Sequence, residues 1–196
     1  MSGRSRLRRR GFVLEGITLG WNVVGVVVLA VVALSSGSVA LGGFGLDSLI
    51  EIGASTVVIW ELSGSDERRQ AAGLRLIGWA FVALAVYLAF QSTIVLVAGY
   101  HPRHSIVGTA WVAATALVMF CLAYGKARTG AALDDPVLRT EGRVTLVDGL
   151  LATAVLTGLV LNATQGWWAD PLAACVILAY GLREGIAVLR RPSPPH

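Results

Sequence analysis

Two acidic side chains lie one helical turn apart in an apolar stretch of the sequence. Asp47 and Glu51 are four positions apart, and the apolar run from Thr56 to Trp60 follows them. Positions i and i+4 share one face of a helix, so both carboxylates point the same way. Because a charge at the bilayer centre costs about 2.5–3.5 kcal/mol on insertion scales, such residues are usually functional. We predict a buried cation site here; the alternative is a polar cluster that only holds helices together.

Two more polar stripes have helical spacing. Asn22 follows Glu15 by seven residues, and Asp148 follows Glu141 by seven. Seven residues make about two helical turns, so each pair shares a face. We predict Asn22 and Asp148 as further ligands, and Glu15 and Glu141 as the lining of a cytoplasmic entrance. Two alternatives stay open: Asn22 only bonds across helices, or both glutamates lie at the headgroups and pair with arginine.

The composition indicates a membrane protein. Of 196 residues, 55% are hydrophobic and 14% are charged, and the mean hydropathy is +0.69. A bilayer span needs about 20 apolar residues, so the length fits six spans in one domain, residues 1–196. We predict an all-α integral membrane protein, a bundle of six transmembrane helices. A basic tail (1–11) precedes spans at about 12–34, 39–62, 74–97, 106–124, 144–161 and 170–188, and the longest connection is 126–143.

The basic residues predict the orientation. Of the sixteen Lys and Arg, all but Arg103 lie near the two termini or in the second and fourth connections. Cytoplasmic segments carry the positive excess, so both termini are predicted to be cytoplasmic, in a multi-pass protein of the cell membrane. Topology also explains the net charge of +4, without a nucleic-acid partner. The sequence has no phosphate-binding glycine loop and no nucleophile with a neighbouring histidine, so we predict neither an enzyme nor an organic cofactor.

Four short segments resemble one known family. They are Ser36–Leu41 (Ser-Gly-Ser-Val-Ala-Leu), Gly45–Glu51 (Gly-Leu-Asp-Ser-Leu-Ile-Glu), Asp148, and Trp168–Pro171 (Trp-Ala-Asp-Pro). With them the sequence resembles the cation diffusion facilitators, six-span transporters that move zinc, manganese, iron or similar ions, usually in exchange for protons. The resemblance implies a homodimer. The sequence ends soon after the sixth span, so it is similar to a divergent, truncated member without the cytoplasmic C-terminal domain.

The resemblance also implies a ligand set. The two acids on span two correspond to Asp47 and Glu51, and the second span-five ligand corresponds to Asp148. The first span-five ligand corresponds to Val144, which cannot bind a metal. Asp170 matches the family as well, but an Asp before a Pro also predicts a cap at the start of span six.

Chemistry and resemblance favour different cations. Three carboxylates and an amide suit Mn²⁺, Mg²⁺, Fe²⁺ or Ca²⁺, whereas zinc usually prefers an imidazole or a thiolate. The resemblance favours zinc, which we place first as the substrate, with manganese or iron as the alternatives. Protons compete with a cation for carboxylates, so we predict efflux by alternating access in exchange for protons. The alternative function is a non-transporting, metal-binding membrane protein that modulates another transporter.

Overall fold

The computed structural model describes residues 3–62, 67–99, 101–134, 136–164 and 166–190. These residues form six α-helices that pack into one bundle. The most extensive interfaces join the fourth helix to the fifth, the third to the sixth and the first to the second. The helices are α1 (Gly3–Ser36), α2 (Val39–Leu62), α3 (Glu67–Ala98), α4 (Ile106–Leu133), α5 (Pro136–Thr164) and α6 (Ala169–Leu189).

Three connections meet at one end of the bundle. Gly37, with φ of 70°, turns the chain from α1 into α2. In the connection from α3 to α4, the Arg103 N–H donates to the Ser36 carbonyl at 2.8 Å. The His101 ring in the same connection meets the Trp167 ring edge-on, with 4.9 Å between centroids. The α1–α2, α3–α4 and α5–α6 connections therefore lie together, as they must when consecutive helices run antiparallel.

The outer surface of the bundle is apolar. Val27, Val31 and Leu117 are more than 60% exposed, whereas Leu41 and Leu88 are completely buried. A large exposed apolar surface on a helical bundle fits a lipid environment, because only helices and closed barrels satisfy their backbone there. In the described part of the chain, four helices are long and apolar enough to cross a membrane. They are Ser5–Ser36, Gly78–Ala98, Ile106–Leu133 and Glu141–Thr164. The helical membrane fold is thus supported, and the six spans and the cytoplasmic termini stay predictions.

The helices extend beyond the predicted spans. The connection expected at 126–143 is mostly helical, because α4 continues to Leu133 and α5 begins at Pro136. Asp134 ends α4 in the left-handed conformation, with φ of 56°, and Pro136 suits the first position of a helix. The residues predicted as a basic tail, 1–11, are helical from Gly3. A helix can continue past the hydrocarbon, so these bounds leave the membrane limits of the spans as predictions.

Two glycines let neighbouring helices approach closely. A Cβ at Gly43 would lie 2.6 Å from Leu88 Cδ2, and a Cβ at Gly158 would lie 2.3 Å from Ala173 Cβ. Both distances are shorter than packed carbon atoms allow, so a larger residue at Gly43 would force the Leu88 side chain to move, and one at Gly158 would push α5 away from α6. Gly43 lies one turn before Asp47, and its contact sets the distance of that part of α2 from α3.

Candidate cation site

The start of α2 is held by a carboxylate of another helix. Asp170 of α6 is completely buried. One of its oxygens accepts from the Ser38 hydroxyl, and the other accepts from the N–H groups of Val39 (2.9 Å) and Ala40 (3.3 Å). The first N–H groups of a helix have no partner within it, so this carboxylate caps α2. The prediction that Asp170 caps α6 was therefore wrong. Asp170 lies in the first turn of α6, and its carboxylate caps α2 instead.

We expect the change Asp170→Ala to lower the free energy of unfolding by about 2 kcal/mol, because two N–H groups and one hydroxyl lose a buried acceptor. The more conservative change Asp170→Asn keeps one acceptor oxygen and should cost about half as much. The thermal unfolding midpoint in detergent measures both. Equal midpoints for wild type and Asp170→Ala would show that the cap does not stabilise the bundle.

The two acids of α2 point into the bundle. The exposed fractions are 2% for Asp47 and 3% for Glu51, while Leu49 between them is 49% exposed. Residues two positions apart lie about 200° apart around a helix, so this face of α2 turns its acids inward and its leucine outward. Ser55, the next position on the acidic stripe, is completely buried. The inward stripe predicted from the spacing is what α2 shows.

Asp148 of α5 joins this stripe. It is 4% exposed, and its carboxyl lies within hydrogen-bonding reach of the Glu51 carboxyl. Two carboxyls can share a hydrogen bond only when one of them carries a proton. When both are ionised, neither oxygen of Asp148 has a donor among the described residues, and the same is true of Glu51 Oε2 and Asp47 Oδ1. These buried oxygens are free to accept a proton or a cation.

The fourth predicted ligand is also buried. Asn22 of α1 is 4% exposed, and its Nδ2 has no hydrogen-bond partner in the described part of the chain. The amide oxygen is the atom that could bind a cation, and this role stays a prediction. Val144 is half-buried on α5 and offers no ligand atom.

Tyr180 is a site neighbour that the sequence did not reveal. It lies on α6, half-buried, with its ring edge-on to Phe81 at 6.0 Å. Its phenol is close enough to Asp148, Asp47 and Glu51 to interact with all three electrostatically. A tyrosine in an apolar span has no spacing that marks it as functional, and only the packing of α6 against α2 and α5 places it here.

The carboxylates are near one another without surrounding a common point. Across the described ranges, no three His, Cys, Asp or Glu side chains are arranged closely enough to hold a metal ion. Glu51 and Asp148 are in reach of each other, and Asp47 interacts with both electrostatically. The site therefore has buried, unpartnered oxygen ligands on two helices, which side-chain movement would have to bring together.

The two acids predicted to line the entrance, Glu15 and Glu141, form a separate cluster with Lys126 of α4. Its Nζ donates to Glu15 Oε2 at 3.0 Å, to Glu141 Oε1 at 3.2 Å and to Thr145 Oγ1 at 3.1 Å. Glu15 and Lys126 are completely buried, and Glu141 is 5% exposed. Both glutamates pair with Lys126 rather than with the arginine of the predicted alternative, and their depth relative to the headgroups stays a prediction. Sequence reasoning missed this lysine because it assigned residue 126 to a connection, although no proline interrupts the sequence before Asp134.

Comparison with known proteins identifies the family. Residues 75–191 match the family model of the cation efflux transmembrane domain, which is more than half of the chain. The chain belongs to the cation efflux family, the cation diffusion facilitators. This confirms the resemblance, and the match contains two of its four segments, Asp148 and Trp168–Pro171, but not Asp47 or Glu51. Comparison with curated proteins gives no match.

Members of the cation efflux family carry divalent metal cations across membranes and are transporters rather than enzymes. A multi-pass membrane protein with metal cations as substrates is therefore supported for this chain.

Proposed function

We propose that this cation efflux protein carries a divalent cation out of the cell by alternating access, in exchange for protons. The observation that carries the proposal is the set of three buried carboxylates of Asp47, Glu51 and Asp148. They come from two helices, and four of their six oxygens are buried without a donor among the described residues. Asn22 is proposed as the fourth ligand.

The charge of these carboxylates supports an exchange. An ionised carboxylate without a partner is very costly in a membrane interior, so the group either binds a cation or takes up a proton. Glu51 and Asp148 can share one proton, and a dication that binds both would displace it. The site is thus stable in two states, one with protons bound and one with a cation bound.

The ligand chemistry bears on the choice of cation. All four proposed ligand atoms are oxygens, which suit Mn²⁺ or Fe²⁺, and zinc also accepts carboxylates. We keep Zn²⁺ first because of the family and Mn²⁺ or Fe²⁺ next because of the ligands.

We also propose that the protein is a homodimer that uses α1. Gly16 and Gly20 are exposed, and no described heavy atom lies within 4 Å of a Cβ built at either position. The second glycine pair of the sequence, Gly181 and Gly185, is used inside the chain instead: a Cβ at Gly185 would lie 2.8 Å from the Gly78 carbonyl oxygen of α3. The open glycine face of α1 is therefore the one left for close packing with a second copy.

Cation uptake into proteoliposomes that contain only this protein tests the proposal. Zn²⁺, Mn²⁺, Fe²⁺ and Mg²⁺ are supplied in parallel under an imposed pH gradient, with protein-free liposomes as the control. We expect uptake of at least one of these ions, and uptake should collapse when the pH gradient is dissipated. Binding without uptake would overturn the proposal and support the alternative function, a non-transporting protein that modulates another transporter. The absence of a ligand atom at Val144 would agree with that alternative.

A further inference from the structure

Lys126 is the one lysine of this sequence, and every other basic side chain except the histidines is an arginine. It is completely buried, although its ammonium group is a compact and strongly hydrated charge. A buried ammonium is costly unless oxygen atoms replace its water. The burial of this lysine therefore requires a polar environment inside the bundle.

That environment is a set of oxygen atoms around the ammonium group. An ammonium has three N–H donors, and the described acceptors are three: Glu15 Oε2, Glu141 Oε1 and Thr145 Oγ1, all at 3.0–3.2 Å. The Thr145 hydroxyl gives its own hydrogen to the Glu141 carbonyl at 3.0 Å, so it presents a lone pair to the ammonium. Two carboxylates and a hydroxyl lone pair also form the kind of oxygen set that hard divalent cations prefer.

The cluster is not neutralised by Lys126 alone. Its two glutamates carry two negative charges when ionised, against one positive charge. Glu15 Oε1 is buried and has no hydrogen-bond partner among the described residues. A dication in place of the ammonium would balance the two glutamates and give this free oxygen a partner.

The cluster lies on the same two stripes as the proposed ligands. Glu15 precedes Asn22 by seven residues on α1, and Glu141 precedes Asp148 by seven on α5. Seven residues span about 10 Å along a helix, so the cluster sits about two turns from the carboxylate site. Glu51 interacts electrostatically with both Glu141 and Lys126, so no long gap separates the two groups. The cluster lies nearer the end of the bundle opposite the three connections that meet at Gly37.

We propose that Glu15, Glu141 and Thr145 form a second site for a hard divalent cation, which Lys126 fills with its own ammonium until an entering cation displaces it. This step rests on the proposed function: a cation that enters from the cytoplasmic end would meet this site before it reaches the carboxylates of Asp47, Glu51 and Asp148.

Counting bound Mn²⁺ per chain by equilibrium dialysis of the full protein in detergent micelles tests this site. Four proteins are compared at a Mn²⁺ concentration that fills the carboxylate site but is too low to displace the ammonium of Lys126: wild type, Lys126→Gln, Asp148→Asn and the double variant Lys126→Gln/Asp148→Asn. We expect about one, two, zero and one bound ions, respectively, because the glutamine vacates one site and the asparagine removes the other. Arg139→Gln is the matched control, since it removes a basic partner from the exposed pair with Asp134 and should bind as wild type does.

The four counts separate the two proposals. Equal counts for wild type and Lys126→Gln, with none for the double variant, would overturn the second site and leave Lys126 as a structural ion pair. Equal counts for wild type and Asp148→Asn would instead contradict the proposed function. The second site would then still be tested by whether Lys126→Gln binds one more Mn²⁺ ion than wild type.

A measurement on the unmodified protein keeps the proposal testable if Lys126→Gln does not fold. Because the sequence has one lysine, ¹⁵N-lysine labelling gives one side-chain ammonium signal. We expect saturating Mg²⁺ or Zn²⁺ to shift this signal, because the ammonium leaves its three oxygen acceptors. An unchanged signal in protein that has bound the cation would overturn the proposal.

Discussion

The change Asp148→Asn is expected to lower cation uptake into proteoliposomes by about 100-fold, equivalent to about 2.8 kcal/mol. Asparagine has the size of aspartate, so the bundle should keep its packing, but it cannot supply a charged ligand or take up a proton. The side chain is 4% exposed, within reach of Glu51, so no water replaces the lost charge. Asp47→Asn should have a similar effect.

Asp134→Asn is the matched control for this prediction. The Asp134 side chain is 90% exposed, pairs with Arg139 and ends α4 in a left-handed conformation that asparagine also adopts. Exposed ion pairs contribute little, so we expect uptake within about twofold of wild type. A loss as large as that of Asp148→Asn would mean that removing any acid impairs the protein. Normal uptake by Asp148→Asn would exclude this carboxylate from transport.

Cation binding should tighten steeply as the pH rises. A carboxylate binds a metal only when it has lost its proton, so each proton that the cation displaces changes the apparent Kd by about tenfold per pH unit. Glu51 and Asp148 can share one proton, and Asp47 can hold another, so we expect a change between about tenfold and 100-fold per pH unit in the range where the site titrates.

Binding of Mn²⁺ measured calorimetrically over a pH series checks this dependence, and the protons released can be counted from the heat in buffers of different ionisation enthalpy. Asp148→Asn should bind weakly and with a flatter pH dependence. A Kd that does not change with pH in wild type would contradict the exchange of protons for cations at this site.

The parts of the site that follow from local spacing could be predicted from the sequence. Asp47 and Glu51 share a helix face at any packing, and burying a polar face inward is the cheapest arrangement in a lipid environment. Asp148 was found in the same way, as a carboxylate inside an apolar span. Their burial in the bundle agrees with that reasoning.

The parts that depend on contacts between helices could not be predicted. Asp170 has the local sequence of a cap for its own helix, and only the packing of α6 against α2 directs its carboxylate to Ser38, Val39 and Ala40. Lys126 follows an apolar run and therefore resembles a residue at the membrane surface. Its burial depends on two glutamates that lie 111 and 15 residues away in the sequence. Tyr180 became a neighbour of the site for the same reason.

Locating the bound ion tests the central claim most directly. Crystals of the protein grown with Zn²⁺ or Mn²⁺ give an anomalous difference map that shows the metal without reference to activity. We expect a peak between α2 and α5, about 2.0–2.5 Å from oxygens of Asp47, Glu51 and Asp148. A metal bound only elsewhere in the chain, with these three carboxylates still apart, would contradict the account.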